Sequence, residues 1–146
     1  MTAGYIPVIT HPERLSWVED HYPVFVRLAN RGAWMQITAG ALTGRFGKRT
    51  HYWAERFISE GHAMILATDA HDPRRRPPLL AEARDAAAGL VGKIEAEHMV
   101  LTRPEGIVAN VAPGNLPHAL SASMPVPDSQ RRTNPVSRWL QRLVRH

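Results

Sequence analysis

Three short apolar runs, each followed by a stretch with helical spacing, constrain this chain more than any other feature. Residues 5–10, Trp34-Met35-Gln36-Ile37-Thr38 and residues 63–68 read as short strands. After the first run, Leu15, Val18, Tyr22, Phe25, Val26 and Ala29 recur at helical spacing, with Pro23 expected to break or restart that helix and Gly32 to end it. After the second come a turn at Gly40 and a helix whose Phe46, Trp53, Ala54, Phe57 and Ile58 share a face, closed by Gly61. After the third, Leu79, Ala83, Ala86, Ala87 and Leu90 form an apolar stripe, and Gly92 separates it from a further helical pattern around Ile94 to Leu101. The sequence Thr102-Arg103-Pro104-Glu105 carries a capping-box signature for a last short helix toward Asn110. Alternation of this kind predicts an α/β fold: about three parallel strand-helix units plus terminal helices. Right-handed crossovers would put all three strand ends on one side.

A chain of 146 residues, 44% of them hydrophobic, supports one core and hence one main domain. It is too short for a complete eight-unit barrel, which typically needs about 250 residues. With no cysteine, a disulfide framework, thiolate zinc sites and a cysteine nucleophile are all excluded. No run reaches the roughly 18 apolar residues of a membrane-spanning helix, and the N-terminus lacks a signal-peptide pattern, so a cytoplasmic protein is expected. The formal charge of +5 is concentrated in the tail. From Ala112 onward Arg131, Arg132, Arg138, Arg142 and Arg145 face Asp128 alone. The nearly neutral body has no basic stripe with interleaved aromatics, so no nucleic-acid partner is expected.

Two of the strand-like runs stop directly before chemistry-bearing residues. His11-Pro12-Glu13-Arg14 follows the first, and Thr68-Asp69-Ala70-His71 ends the third. The same side of a parallel sheet would receive Gln36 or Thr38 from the middle strand. Imidazole and carboxylate suit Zn, Mn or Fe, and a histidine-aspartate set without cysteine leans toward hydrolytic metals. Arginine pairs with phosphate oxygens through its planar fork, and Arg14 and Arg76 each lie a few residues beyond a histidine. On spacing alone, an Asp-x-His at a strand end is more often a helix cap beside a surface histidine. His-Pro-Glu-Arg taken alone is equally weak, and the other histidines show no ligand spacing.

Taken in order, residues 4–14, 36–47, 68–71 and 76–78 resemble the manganese-dependent capsular and exopolysaccharide tyrosine-protein phosphatases of the polymerase-and-histidinol-phosphatase (PHP) superfamily. The resemblance runs from about Gly4 to about Asn110. It implies a distorted strand-helix barrel with a cluster of metal ions, usually manganese, at the strand ends. It further implies that His11, Asp69 and His71 are metal ligands and that Arg14 and Arg76 bind the phosphate. A metal-bound hydroxide would attack phosphorus in line with the departing tyrosine phenolate. The implied substrate is a phosphorylated tyrosine kinase of polysaccharide export.

The family also carries an early strand with a His-x-His pair, and a further histidine and glutamate, for which this chain has no counterpart. Thr68 and Ala41 stand where serine is common in that family. Residues 1–111 are therefore expected to form the C-terminal portion of a PHP-type barrel, a truncated domain with an incomplete metal cluster and doubtful activity by itself. A non-catalytic interaction protein and a small-molecule phosphoesterase of the same superfamily are the alternatives. An opened barrel would expose a strand edge, which predicts poor stability or a homo-oligomer. Residues 112–146 read as a proline-rich disordered tail. It ends in a basic amphipathic helix over 136–146 suited to weak membrane or partner contact.

Overall fold

The structure is a computed structural model that describes residues 5–72, 74 and 78–122. Strands β1 (Val8–Thr10), β2 (Trp34–Thr38) and β3 (Ala63–Ala67) form a parallel sheet in the order β1-β2-β3. The connections are helical: α1 (Val18–Asn30) between the first two strands, then α2 (Ala39–Leu42) and α3 (Lys48–Ser59) before the third. Beyond β3 follow α4 (Ala81–Val91) and α5 (Lys93–Glu97), a π-helical turn over His98–Thr102, and α6 (Arg103–Val108). The expected α/β class with three parallel strand-helix units is what forms.

Along β2 successive side chains point to opposite faces of the sheet, whereas in β3 an extra residue interrupts the alternation. Met35, Ile37, Ala63 and Leu66 enter the main core with Val18 and Phe25 of α1, Trp53 and Phe57 of α3, and Ala83 and Ala87 of α4. The opposite face carries a smaller cluster of Trp34, Met64 and Ile65, joined by Ile6, Leu116 and Ala119. Met35 pairs with Ala63 but Gln36 with Ile65, so Met64 is an extra residue in β3 and shares a face with Ile65.

The first apolar run does not behave as a buried strand. Only its last three residues pair, Val8 is 43% exposed and Tyr5 is 82% exposed, because β1 is an edge of the sheet. Pro23 does not break α1. It stands on the exposed side of the helix, as does Glu19, the residue whose carbonyl a proline at 23 cannot bond. Gly40 makes no turn but sits inside α2, and the chain reverses at Gly44 and Gly47, both with positive φ. Phe46 lies in that turn, before α3 begins. The capping box does not form either: Thr102 has helical dihedrals and no side-chain cap, because the helix arrives from residue 98 without interruption.

Arg103 follows the π-helical turn and fastens the segment beyond α6. It is fully buried, and its guanidinium donates to Glu95 Oε2 at 2.9 Å, to Met64 O at 3.1 Å, and to the carbonyls of Pro117 and His118 at 2.8 and 2.7 Å. The π-helical turn ends at Thr102, directly before this arginine. The segment after α6 is fastened by Arg103 across the second sheet face, and Ala122 N donates to Ser59 O at 2.7 Å. The expected boundary at 111/112 thus falls ahead of a stretch still bonded to the domain. The rest of the tail, including the helix expected over 136–146, lies outside the described residues.

Candidate functional site at the strand ends

The carboxyl ends of β1 and β3 share an unusual backbone. His11 (φ 41) and Asp69 (φ 50) are both left-handed, a conformation that costs most non-glycine residues about 1–2 kcal/mol. A residue before proline is normally extended, which makes His11 doubly unusual. At β1 the consequence is an abrupt stop. His11 N donates to Gln36 O at 2.8 Å, a backbone bond to β2, and Pro12–Arg14 wind into a single 3-10 turn.

That turn delivers Arg14 toward β3. Arg14 Nη1 pairs with Asp69 Oδ2 at 2.9 Å, and its guanidinium carbon lies 4.8 Å from the centre of the Phe46 ring. The guanidinium is thus held at its edge by a carboxylate and on its face by an aromatic ring. The bond to Asp69 occupies a single N–H of the five in its fork.

His71 is 59% exposed at the side chain, and its Nδ1 lies 2.7 Å from the carbonyl oxygen of Asp69. A carbonyl only accepts, so Nδ1 carries the hydrogen and, in the neutral ring, Nε2 keeps its lone pair. Metal-binding histidines are commonly oriented in this way.

Beneath these groups the corner is polar and buried. Glu13 is 0% exposed, and its Oε1 accepts the Thr38 N–H at 3.0 Å. Burial pushes the Glu13 carboxyl above its ordinary value, against the lowering effect of that hydrogen bond. His11 Nδ1 and Gln36 Nε2 are buried without a hydrogen-bond partner, and Glu13 Oε2 and Thr38 Oγ1 are buried without a well-aligned one. Four such atoms gather at this one corner of the domain.

The expected ligands are thus brought together in part. Asp69 and His71 adjoin, and Arg14 joins them. His11 stands at the end of β1, two strand spacings or roughly 10 Å from β3. Arg76 lies outside the described residues. Among those described, no group of three or more His, Asp or Glu side chains is placed to hold a metal ion. Imidazole and carboxylate are the right donors for a divalent metal, but Asp69 is engaged by Arg14 and the set does not close, so these residues do not fit a metal by themselves. Glu13 and Phe46 escaped sequence reasoning as site residues. The first sat inside a singled-out motif without a role, and the second read as part of a helix face.

Parallel strands, helical crossovers and a polar cluster at the carboxyl strand ends define an α/β domain of the kind whose ligands bind at that end of the sheet. The chain belongs to the family described as "Capsular polysaccharide synthesis, CpsB/CapC", whose model matches residues 1–109. It is 38% identical over 73 residues to tyrosine-protein phosphatase YwqE of Bacillus subtilis, covering 50% of this chain and 29% of that protein. It is 28% identical over 116 residues to tyrosine-protein phosphatase CpsB of Streptococcus agalactiae, covering 73% of this chain and 46% of that one. Among solved structures it is similar to one described as "Crystal structures of YwqE from Bacillus subtilis and CpsB from Streptococcus pneumoniae, unique metal-dependent tyrosine phosphatases". There the TM-score is 0.69 at 32% identity, over 75% of this chain and 44% of that one. The chain spans less than half the length of the relatives it matches. Among the described residues no helix is long and apolar enough to cross a membrane.

Proposed function

We propose that this chain supplies the second half of a metal-dependent phosphotyrosine-protein phosphatase site serving capsular or exopolysaccharide synthesis, within a PHP-type barrel. The observation that carries the reading is the convergence of Arg14, Asp69 and His71 from the ends of β1 and β3 in a chain of the CpsB/CapC family. His11, Asp69 and His71 are this chain's share of the ligands to a divalent metal, manganese in the first instance, and the remaining ligands lie outside the described residues. Arg14, with Arg76, grips the phosphate oxygens through the N–H groups left over from its bond to Asp69. Phe46 keeps the Arg14 plane fixed, so little side-chain freedom is lost when the oxyanion arrives. The phosphotyrosine substrate is a polysaccharide-export tyrosine kinase.

The unclosed donor set favours a second reading for the chain in isolation, in which it is catalytically silent and acts as an interaction protein. One assay separates the two. Manganese-dependent hydrolysis of an aryl phosphate is measured with this chain alone and with a polypeptide carrying the part of a full-length relative that this chain does not match. Turnover in the second case, lost in His71→Ala, is expected. Absence of both manganese uptake and turnover in either mixture overturns the phosphatase reading. A faster reaction with alkyl than with aryl phosphates would instead indicate a small-molecule phosphoesterase.

A further inference from the structure

Residue pairing along the sheet leaves one ladder bond to be explained. Trp34 N donates to Pro7 O at 2.9 Å, and β1 and β2 stay in that register through Thr10 and Gln36. Two such steps on, the acceptor for the Thr38 N–H would be the carbonyl of His11. The left-handed turn at His11 removes it: His11 O instead accepts Arg14 N at 3.1 Å, closing the 3-10 turn. Thr38 is fully buried, and an orphaned N–H there would cost about 1–3 kcal/mol. The Glu13 carboxylate stands in for the missing carbonyl, with Oε1 at 3.0 Å from Thr38 N.

We propose that Glu13 is a positioning residue of this site: by taking the Thr38 N–H that His11 relinquishes, it locks the turn carrying His11 and Arg14 and so aims the Arg14 guanidinium between Asp69 and Phe46. The geometry closes on both sides. His11 N is tied to Gln36 O, Glu13 Oε1 is tied to Thr38 N two residues further along β2, and Arg14 is the next residue out. A turn fastened at two points of one strand holds the Arg14 backbone in place, and the Asp69 carboxylate and the Phe46 ring hold its side chain. The proposal rests on the reading of Arg14 as an oxyanion-binding group, and its test can fail separately from that reading.

Glu13→Gln retains a carbonyl acceptor at the same reach, whereas Glu13→Asp draws the acceptor back by about 1.5 Å, one methylene. In the full chain, three quantities are read by NMR: hydrogen exchange of the Thr38 amide, the Arg14 Nε–H resonance, and the dissociation constant of inorganic phosphate. For Glu13→Gln we expect a protected Thr38 amide, an unmoved Arg14 resonance and phosphate affinity within about threefold of wild type. For Glu13→Asp we expect faster exchange at Thr38, a displaced Arg14 resonance and at least about tenfold weaker phosphate. A folded Glu13→Asp with Arg14 unmoved and phosphate affinity unchanged overturns the proposal. So does a Glu13→Gln protein in which Arg14 is displaced, an arm that stands even if the aspartate variant does not fold. If the wild-type chain binds no phosphate, the oxyanion reading fails, and the Thr38 and Arg14 signals alone decide the role of Glu13.

Discussion

The guanidinium of Arg14 spans the end of β2 to pair with the Asp69 carboxylate at 2.9 Å, linking two corners 55 positions apart in the chain. Both corners are built on left-handed residues, His11 and Asp69, so the pair joins two strained backbones at the outer strands. Strain kept at two places on one side of a sheet, beside buried polar atoms without partners, is a mark of a functional corner.

Asp69→Asn tests whether that pair serves stability or ligand binding. Asparagine tolerates the left-handed backbone, and an ion pair exposed to 35% and 18% contributes at most about 1 kcal/mol. The variant should therefore unfold within about 1 kcal/mol of wild type in urea. Its manganese uptake, measured with the completing polypeptide present, should fall by at least about tenfold.

Arg103→Met should be among the most damaging single changes. It leaves Glu95, 2% exposed, without its cation, and breaking a buried pair typically costs about 3–5 kcal/mol. Chemical denaturation should show the loss. Hydrogen exchange should show the amides of 116–122 opening, since Arg103 also holds the Pro117 and His118 carbonyls.

Gly61→Ala probes the same fastening from the other side. Gly61 has φ +74, and an added Cβ would meet Ser121 N at 3.0 Å and Leu120 C at 3.2 Å, both backbone atoms. Left-handed strain and the close approach together should destabilise the domain by about 1–2 kcal/mol and speed proteolysis within 119–122.

His62 gives the stability a pH dependence of predictable sign. Burial holds its imidazole below the ordinary value of 6.5, opposed by the Glu60 carboxylate 3.6 Å away. The folded state therefore binds fewer protons than the unfolded state just below pH 6.5, so stability falls as the pH drops through that window. Urea midpoints at pH 5.5 and 7.5 should differ less in His62→Gln than in wild type. An equal difference in the two proteins would show that His62 does not contribute.

Strand β2 was readable in the sequence from Trp34 to Thr38, and β3 to within a residue, because β3 is an unbroken apolar run and β2 a short, mainly apolar one between turn signals. The run at 5–10 looked the same, yet only Val8–Thr10 pair, since an apolar run does not reveal whether a neighbour will cover it. Pro23 suggested a break that its solvent-facing position made unnecessary. The arginine at 103 read as the second residue of a capping box, whereas it is the largest fully buried side chain of the described residues. Only a partner carboxylate and three carbonyls gathered from distant segments make that burial possible.

Taken by itself, the sequence determined the α/β class, the order of the strands and helices, the histidine corners and the family they belong to, because these depend on local periodicity and on short motifs. Tertiary structure alone decided that Arg14 meets Asp69, that Glu13 takes the place of a backbone carbonyl, and that His11 stays two strands from Asp69. Each of these is a hydrogen bond or a distance between segments far apart in the chain, set by strand register and by the need to satisfy buried polar groups, and neither requirement is written in the spacing of residues along one segment.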